Sequence, residues 1–222
     1  MKHITIIIYH GSPNEEKNKS FLRMIERLQT ELHNKVVGCF LEFGSPLWKD
    51  TWCTYSKGYQ LTILPLIFLR GKHYEEDIIG KELEVNPSVN LLSPLVEDSL
   101  FRDYIQQNYR IKGPLVLAAH GSDHNTAGEA LSKMARELSV SASTPCMSVL
   151  LVDKNSTNKL ADFHQEFGSF SVIPFTFGKG KVYQEIKELP NTGISFHMLE
   201  PLSFNKVIER YILEKMTLKE GS

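Results

Sequence analysis

Thiols, surplus charge and long apolar runs are all scarce in this chain. Its 222 residues include three cysteines, Cys39, Cys53 and Cys146, with no CxxC pair, so neither a disulfide framework nor a thiolate zinc site is built here. Cys39 and Cys146 lie in apolar stretches and read as buried small hydrophobes, which suits a reduced, cytoplasmic setting. Lys and Arg number 25 against 26 Asp and Glu, for a formal net charge of −1. No overall basic field therefore draws nucleic acid or an anionic membrane, and neither is expected as a partner. Any attraction for an anionic ligand must be local. The run Ile4-Thr-Ile-Ile-Ile8 is too short for a signal-sequence core or a membrane span. GxGxxG, P-loop and GxSxG patterns are missing, which argues against a nucleotide-binding enzyme and a serine hydrolase. No low-complexity segment or charge run interrupts a composition that is 41% apolar and 23% charged, as in soluble globular proteins.

What is present is written twice. IIIYHGS around His10 and LVLAAHGS around His120 stand 110 residues apart. Pro65 to Tyr74 matches Pro174 to Tyr183 at an offset of 109, and Pro94-Leu95 with Tyr104-Ile105 matches Pro201-Leu202 with Tyr211-Ile212 at 107. Three anchors that keep their order and drift so little indicate a duplicated architecture.

Each copy alternates strand and helix. The first reads as strands Ile4–Tyr9, Val36–Glu42, Leu61–Phe68 and Val89–Leu92, with helices after Ser12, over Pro46–Tyr55, from near His73, and through Leu100, Tyr104 and Ile105. Ser12-Pro-Asn-Glu15 predicts an N-cap at Ser12. The second copy reads as strands Leu115–Ala119, Met147–Val152, Ser171–Phe177 and Ile194–Leu199, with a last helix through Val207, Ile208, Tyr211 and Ile212. Such alternation implies an α/β fold of two similar lobes, each a four-stranded parallel sheet flanked by helices. The lobes are expected at 1–111 and 112–222, with Lys215–Ser222 a frayed end. Trp48 and Trp52, one turn apart, read as packing residues.

Ligands of open parallel sheets bind beyond the carboxyl ends of the strands, near a topological switch point. His10 closes the first strand, Glu42 the second, and His73 follows the third by a short loop. If the first and third strands are neighbours, with the second outside the first, these loops share a rim. Two imidazoles and a carboxylate suit a borderline divalent cation and can accept protons near neutral pH. The second copy keeps His120 but has Val182 in place of His73, and Leu151 or Val152 in place of Glu42. A ligand set confined to one of two copies points to function rather than folding. Singly, each residue also has an ordinary structural explanation, since a His after a strand often caps it and an acid at a strand end is often merely solvated. His3, His33, His124, His164 and His197 show no comparable placement.

With these residues in hand, the sequence resembles the sirohydrochlorin chelatases of the class II chelatase group, distant relatives of protoporphyrin ferrochelatase. The likeness lies in His10-Gly11-Ser12, in Phe40-Leu41-Glu42-Phe43, and most specifically in Leu64-Pro-Leu-Ile-Phe-Leu-Arg-Gly-Lys-His73-Tyr-Glu-Glu-Asp77-Ile. It covers nearly the whole chain and looks like the long, internally duplicated form. The resemblance implies insertion of a divalent metal into a cyclic modified tetrapyrrole without an organic cofactor: Fe(II) into sirohydrochlorin, with Co(II) on the corrinoid route as the alternative. His10, Glu42 and His73 would handle metal and protons. Gly11, Ser12, Arg70, Gly71 and Lys72 would meet the substrate's carboxylates, through a helix N-terminus at Gly11–Ser12 and local positive charge; Lys179 and Lys181 could serve likewise. A non-catalytic tetrapyrrole or metal carrier on the same scaffold is a competing reading, and a monomer or weak homodimer is expected.

Overall fold

The β-branched N-terminal run becomes an inner strand of a parallel sheet covered on both faces. The computed structural model describes residues 2–71, 73–79, 86–121, 125–189 and 193–220, with 73, 125, 219 and 220 described by backbone alone. The first copy contains β1 (Lys2–Tyr9), α1 (Glu15–Glu31), β2 (Lys35–Phe40), α2 (Trp48–Tyr55), β3 (Tyr59–Leu66), a π-helical segment (His73–Ile79) and β4 (Val89–Leu91). Helix α3 (Ser99–Tyr109) closes the first copy, and the second contains β5 (Leu115–Ala119), α4 (Asn125–Ala142), β6 (Cys146–Leu150), α5 (Ser156–Phe167), β7 (Phe170–Pro174), α6 (Lys181–Glu188), β8 (Phe196–Met198) and α7 (Lys206–Glu220). The two sheets run β2-β1-β3-β4 and β6-β5-β7-β8, parallel throughout.

The pairing registers reproduce the duplication. Tyr9 opposes Phe40 on one side and Leu66 on the other. Ala119, the counterpart of Tyr9, opposes Leu150. Leu61 opposes Val89 as Phe170 opposes Phe196. The order places β2 and β3 on opposite sides of β1, so the chain changes direction across the sheet between them. That is the switch point at which a ligand site is expected.

Alternation along β1 divides the core. Ile4, Ile6 and Ile8 pack with Cys39, Trp48, Leu61, Ile63, Tyr74 and Ile78. Residues of the other parity meet α1 and α7. The Tyr9 ring lies 5.4 Å from Phe21 and 4.8 Å from Phe204, and Thr5 Oγ1 stands 3.9 Å from Met216 Sδ. Burial on both faces explains why the strand reads as a continuous apolar run. Trp48 is buried and Trp52 packs against the same cluster, both as packing residues.

Contacts divide the chain differently from the expected break at residue 111. One unit is Met1–Leu95 with Phe204–Ser222, and the other is Val96–Ser203. Helices α3 and α7, equivalent in the duplication, have exchanged places. In the second unit, Phe101 meets Phe175 at 6.3 Å, Arg102 pairs with Glu137 at 2.7 Å, and the Tyr109 hydroxyl donates to the Glu200 carbonyl at 2.8 Å. In the first, α7 buries Ile208, Tyr211, Ile212 and Met216 and Glu209 pairs with Arg27. The expected frayed end at Lys215–Ser222 is therefore helical through Glu220, because buried Met216 anchors it. Among the described residues no helix is long and apolar enough to cross a membrane.

Candidate active site

The loops after β1 and β2 are tied together through their backbones. The Leu41 N–H donates to the Tyr9 carbonyl at 3.0 Å and the Glu42 N–H to the His10 carbonyl at 2.9 Å. Pairing thus outlasts the strand proper, which ends at Phe40 rather than at Glu42 as expected. The chain then turns at Phe43, where φ is 53°. Gly11 makes the close approach possible. Its φ is +96°, and a Cβ there would lie 1.8 Å from the Glu42 carbonyl oxygen. Only glycine fits such a conformation and such a gap.

His10 is half-buried and Glu42 is exposed. His10 Nδ1 lies 3.3 Å from the Gly11 carbonyl oxygen. A carbonyl only accepts, so Nδ1 is the donor in this contact and Nε2 is the nitrogen left facing away from it. His120 Nδ1 makes the matching contact with Gly121 at 3.1 Å, so this ring orientation belongs to the fold and recurs in both copies. Burial pushes the phenol of the preceding Tyr9 up to about 12.

The Ser12 cap is a correction. Helix α1 begins at Glu15, and Asn14 caps it by accepting from the Glu16 N–H at 3.0 Å. Ser12 instead accepts from the Asn14 N–H through Oγ at 3.2 Å. Its own N–H donates to Asn18 Oδ1 at 2.9 Å. The helix terminus therefore does not lie at Gly11–Ser12, and its first turn carries Glu15 and Glu16, which oppose an anion.

On the other side of β1, β3 leads to Arg70 and Gly71. The Gly71 carbonyl accepts from the N–H groups of Tyr74 at 2.9 Å and Glu75 at 3.0 Å, opening the π-helical segment that starts at His73. Arg70 pairs with Glu75 at 3.5 Å and lies over the Tyr74 ring at 4.9 Å. The Trp48 indole N–H donates to the Asp77 carbonyl at 2.8 Å and fixes this segment to α2. Lys72 and the His73 side chain lie outside the described residues. Among the described residues no three His, Cys, Asp or Glu side chains are grouped to hold a metal. His10 and Glu42 are joined through backbone, and the His73 backbone follows the adjacent strand.

Equivalent hydrogen bonds settle the register left open between Leu151 and Val152. The Val152 N–H donates to the His120 carbonyl at 3.2 Å, as Glu42 does to His10, so Val152 is the counterpart of Glu42. Val182 occupies the place of His73 in α6. Lys179 and Lys181 are each paired, with Glu200 at 2.8 Å and Glu185 at 3.6 Å.

Sequence reasoning missed Asn18. From α1 its amide spans two loops, donating to the carbonyls of Ser12, at 2.8 Å, and Phe43. The signal was available in the duplication, since the residue 110 positions on is Gly128.

The sequence pattern of the CbiX family matches residues 4–111. The first half of this chain belongs to the CbiX family. That half carries His10, Glu42 and His73. Among curated proteins no significant sequence match is found. Solved structures resemble the whole chain. The sirohydrochlorin chelatase SirB from Bacillus subtilis subspecies spizizenii, in complex with cobalt, is 16% identical with a TM-score of 0.72, over 98% of this chain and 94% of that one. SirB from Bacillus subtilis with Fe3+ is 16% identical with a TM-score of 0.73, over 98% and 95%. CbiX, the terminal enzyme for biosynthesis of siroheme in denitrifying bacteria, is 14% identical with a TM-score of 0.62, over 98% and 99%. At such identities the likeness speaks for the fold, and it extends the CbiX architecture through both copies.

Proposed function

We propose that the chain is a lyase that inserts Fe(II) into sirohydrochlorin to make siroheme. Co(II) insertion toward a corrinoid is the alternative, because ligand type discriminates poorly between these ions and availability decides. One observation carries the reading: His10, Glu42 and His73 all lie in the copy that the CbiX pattern matches, and their counterparts His120, Val152 and Val182 lack two of the three donor side chains.

The chemistry asks for what that set offers. As the metal ion enters, the free-base macrocycle loses two pyrrole N–H protons, and the ion sheds water. Nε2 of His10, the imidazole of His73 and the Glu42 carboxylate would take the ion and accept the protons. Imidazole nitrogen and carboxylate oxygen donors release an ion more readily than thiolates would. Gly11, Ser12, Arg70, Gly71 and Lys72 would line the approach of the carboxylate-bearing substrate, Arg70 and Lys72 as cations. Because Ser12 N–H is engaged by Asn18, the loop cations rather than a helix terminus would meet those carboxylates. The setting would be cytoplasmic, in keeping with three free cysteines.

Anaerobic mixing of the purified protein with sirohydrochlorin and Fe(II) or Co(II), followed by absorption, tests the proposal. Catalytic metallation is expected, and His73→Ala should abolish it while the protein stays folded. Stoichiometric binding with no turnover would instead indicate a carrier, and His73→Ala at full rate would remove that residue from the set.

A further inference from the structure

Beside His10 stands the most exposed aromatic side chain among the described residues. Phe43 leaves 55% of its surface open, and its ring centroid lies 6.5 Å from that of His10, with the planes tilted by 35°. Leu47 on the same loop is also exposed. The backbone at Phe43 is left-handed, with φ of 53°, a region that bulky side chains rarely enter. An apolar ring is thus held in water, in a disfavoured conformation, next to a candidate metal-handling imidazole. Outliers of this kind concentrate where function requires them.

A buried amide holds the arrangement. Asn18 is 8% exposed and sits on the row of α1 that also buries Phe21 and Ile25, where an apolar residue would ordinarily pack. Its Oδ1 accepts from the Ser12 N–H at 2.9 Å, while its Nδ2 donates to the carbonyls of Ser12, at 2.8 Å, and Phe43. Both ends of the amide are therefore in use, and the loop after β1 is latched to the loop after β2. In the second copy Gly128 stands at the place of Asn18, and Asp153, paired with Lys159 at 2.6 Å, stands at the place of Phe43. The exposed ring and its brace occur only in the copy that has Glu42 and His73.

We infer that Phe43 is a substrate-contact residue that lays its ring against the flat, conjugated face of the macrocycle beside His10, and that Asn18 is the positioning residue that holds it there. The inference rests on the proposed function and adds to it the surface that orients the ring. A metal enters such a macrocycle across its plane, so the donor groups must lie over a face, and a flanking aromatic ring is a suitable support for that face. Stacking on an aromatic surface makes few demands on the ring's edge substituents, which leaves the substrate's carboxylates to the loop cations.

The test measures the affinity for metal-free sirohydrochlorin from quenching of its fluorescence, with Co(II) affinity measured alone by calorimetry. Phe43→Ala should weaken tetrapyrrole binding about tenfold, Phe43→Tyr should stay within about twofold, and neither should alter Co(II) affinity. Asn18→Ala should weaken tetrapyrrole binding about fivefold alone and at most about twofold in the Phe43→Ala background, because its effect passes through Phe43. Thermal melts monitor folding, and Phe43→Ala decides the matter should Asn18→Ala unfold. Wild-type affinity in Phe43→Ala, from a protein that metallates sirohydrochlorin, would overturn the inference and leave the functional reading standing. Loss of Co(II) affinity together with tetrapyrrole affinity would overturn it too, as a sign of collapse of the loop. A wild-type protein that neither binds nor metallates sirohydrochlorin would remove the functional reading itself.

Discussion

Gly11 shows how tightly single residues constrain this site. A Cβ at Gly11 would meet the backbone oxygen of Glu42 at 1.8 Å, whereas one at Gly121 would meet the Val152 side chain at 2.9 Å. A side chain can rotate away, whereas the Glu42 carbonyl belongs to a backbone whose N–H is tied to His10. Gly11→Ala is therefore expected to cost about 3 kcal/mol in urea unfolding, and more than Gly121→Ala; equal losses would mean that the Glu42 loop yields. The thiols give a second check. Burial pushes Cys39 up to about 12, and Cys53 is exposed, so alkylation of the native protein should label Cys53 and spare Cys39. Labelling of both at equal rates, read by mass spectrometry, would contradict the packing around β2. Gly11 was legible in the sequence because the HGS turn is repeated. Asn18 was not, because an asparagine inside a helix reads as a solvated polar residue, and only the folded loops reveal its partners. Ser12 misled for a related reason: its side chain fits a cap, but Asn18 engages its N–H and moves the helix start to Glu15.

At the level of elements, the strands were readable because each is a short apolar run bounded by turn residues, and the registers follow the repeat offsets. The π-helical segment was not. The pattern after Gly71 predicts a helix near His73 but not its width, nor the tie from the Trp48 indole N–H to the Asp77 carbonyl at 2.8 Å. Trp48→Phe removes that donor and leaves a buried ring, so a loss of about 1 kcal/mol is expected in equilibrium unfolding. The metallation rate should also fall, because the segment that begins at His73 loses its tie to α2. An unchanged rate alongside the lost stability would show that the tie serves packing alone.

The exchange of α3 and α7 governs the whole molecule. Chain order suggests lobes of 1–111 and 112–222, and nothing in the residues argues otherwise, since Tyr104-Ile105 and Tyr211-Ile212 offer the same apolar pair to either sheet. Tertiary packing makes the choice: Phe204 and Met216 meet Tyr9 and Thr5 of β1. A fragment of residues 1–111 lacks that cover and is expected to aggregate or stay unfolded. Residues 204–222 joined through a flexible linker to 1–95 should fold cooperatively, as seen by circular dichroism and thermal melting. Stable folding of 1–111 with the full helical signal would show that α3 can serve its own sheet.

The central claim is that duplication left one working site, built on His10 and not on His120. Its most direct measurement is the initial rate of anaerobic metallation of sirohydrochlorin by His10→Ala and His120→Ala, side by side with the unaltered protein at matched folded concentration. Loss of catalysis in His10→Ala with most of the rate kept in His120→Ala is the predicted result; equal loss in both, or a full rate in His10→Ala, would contradict it.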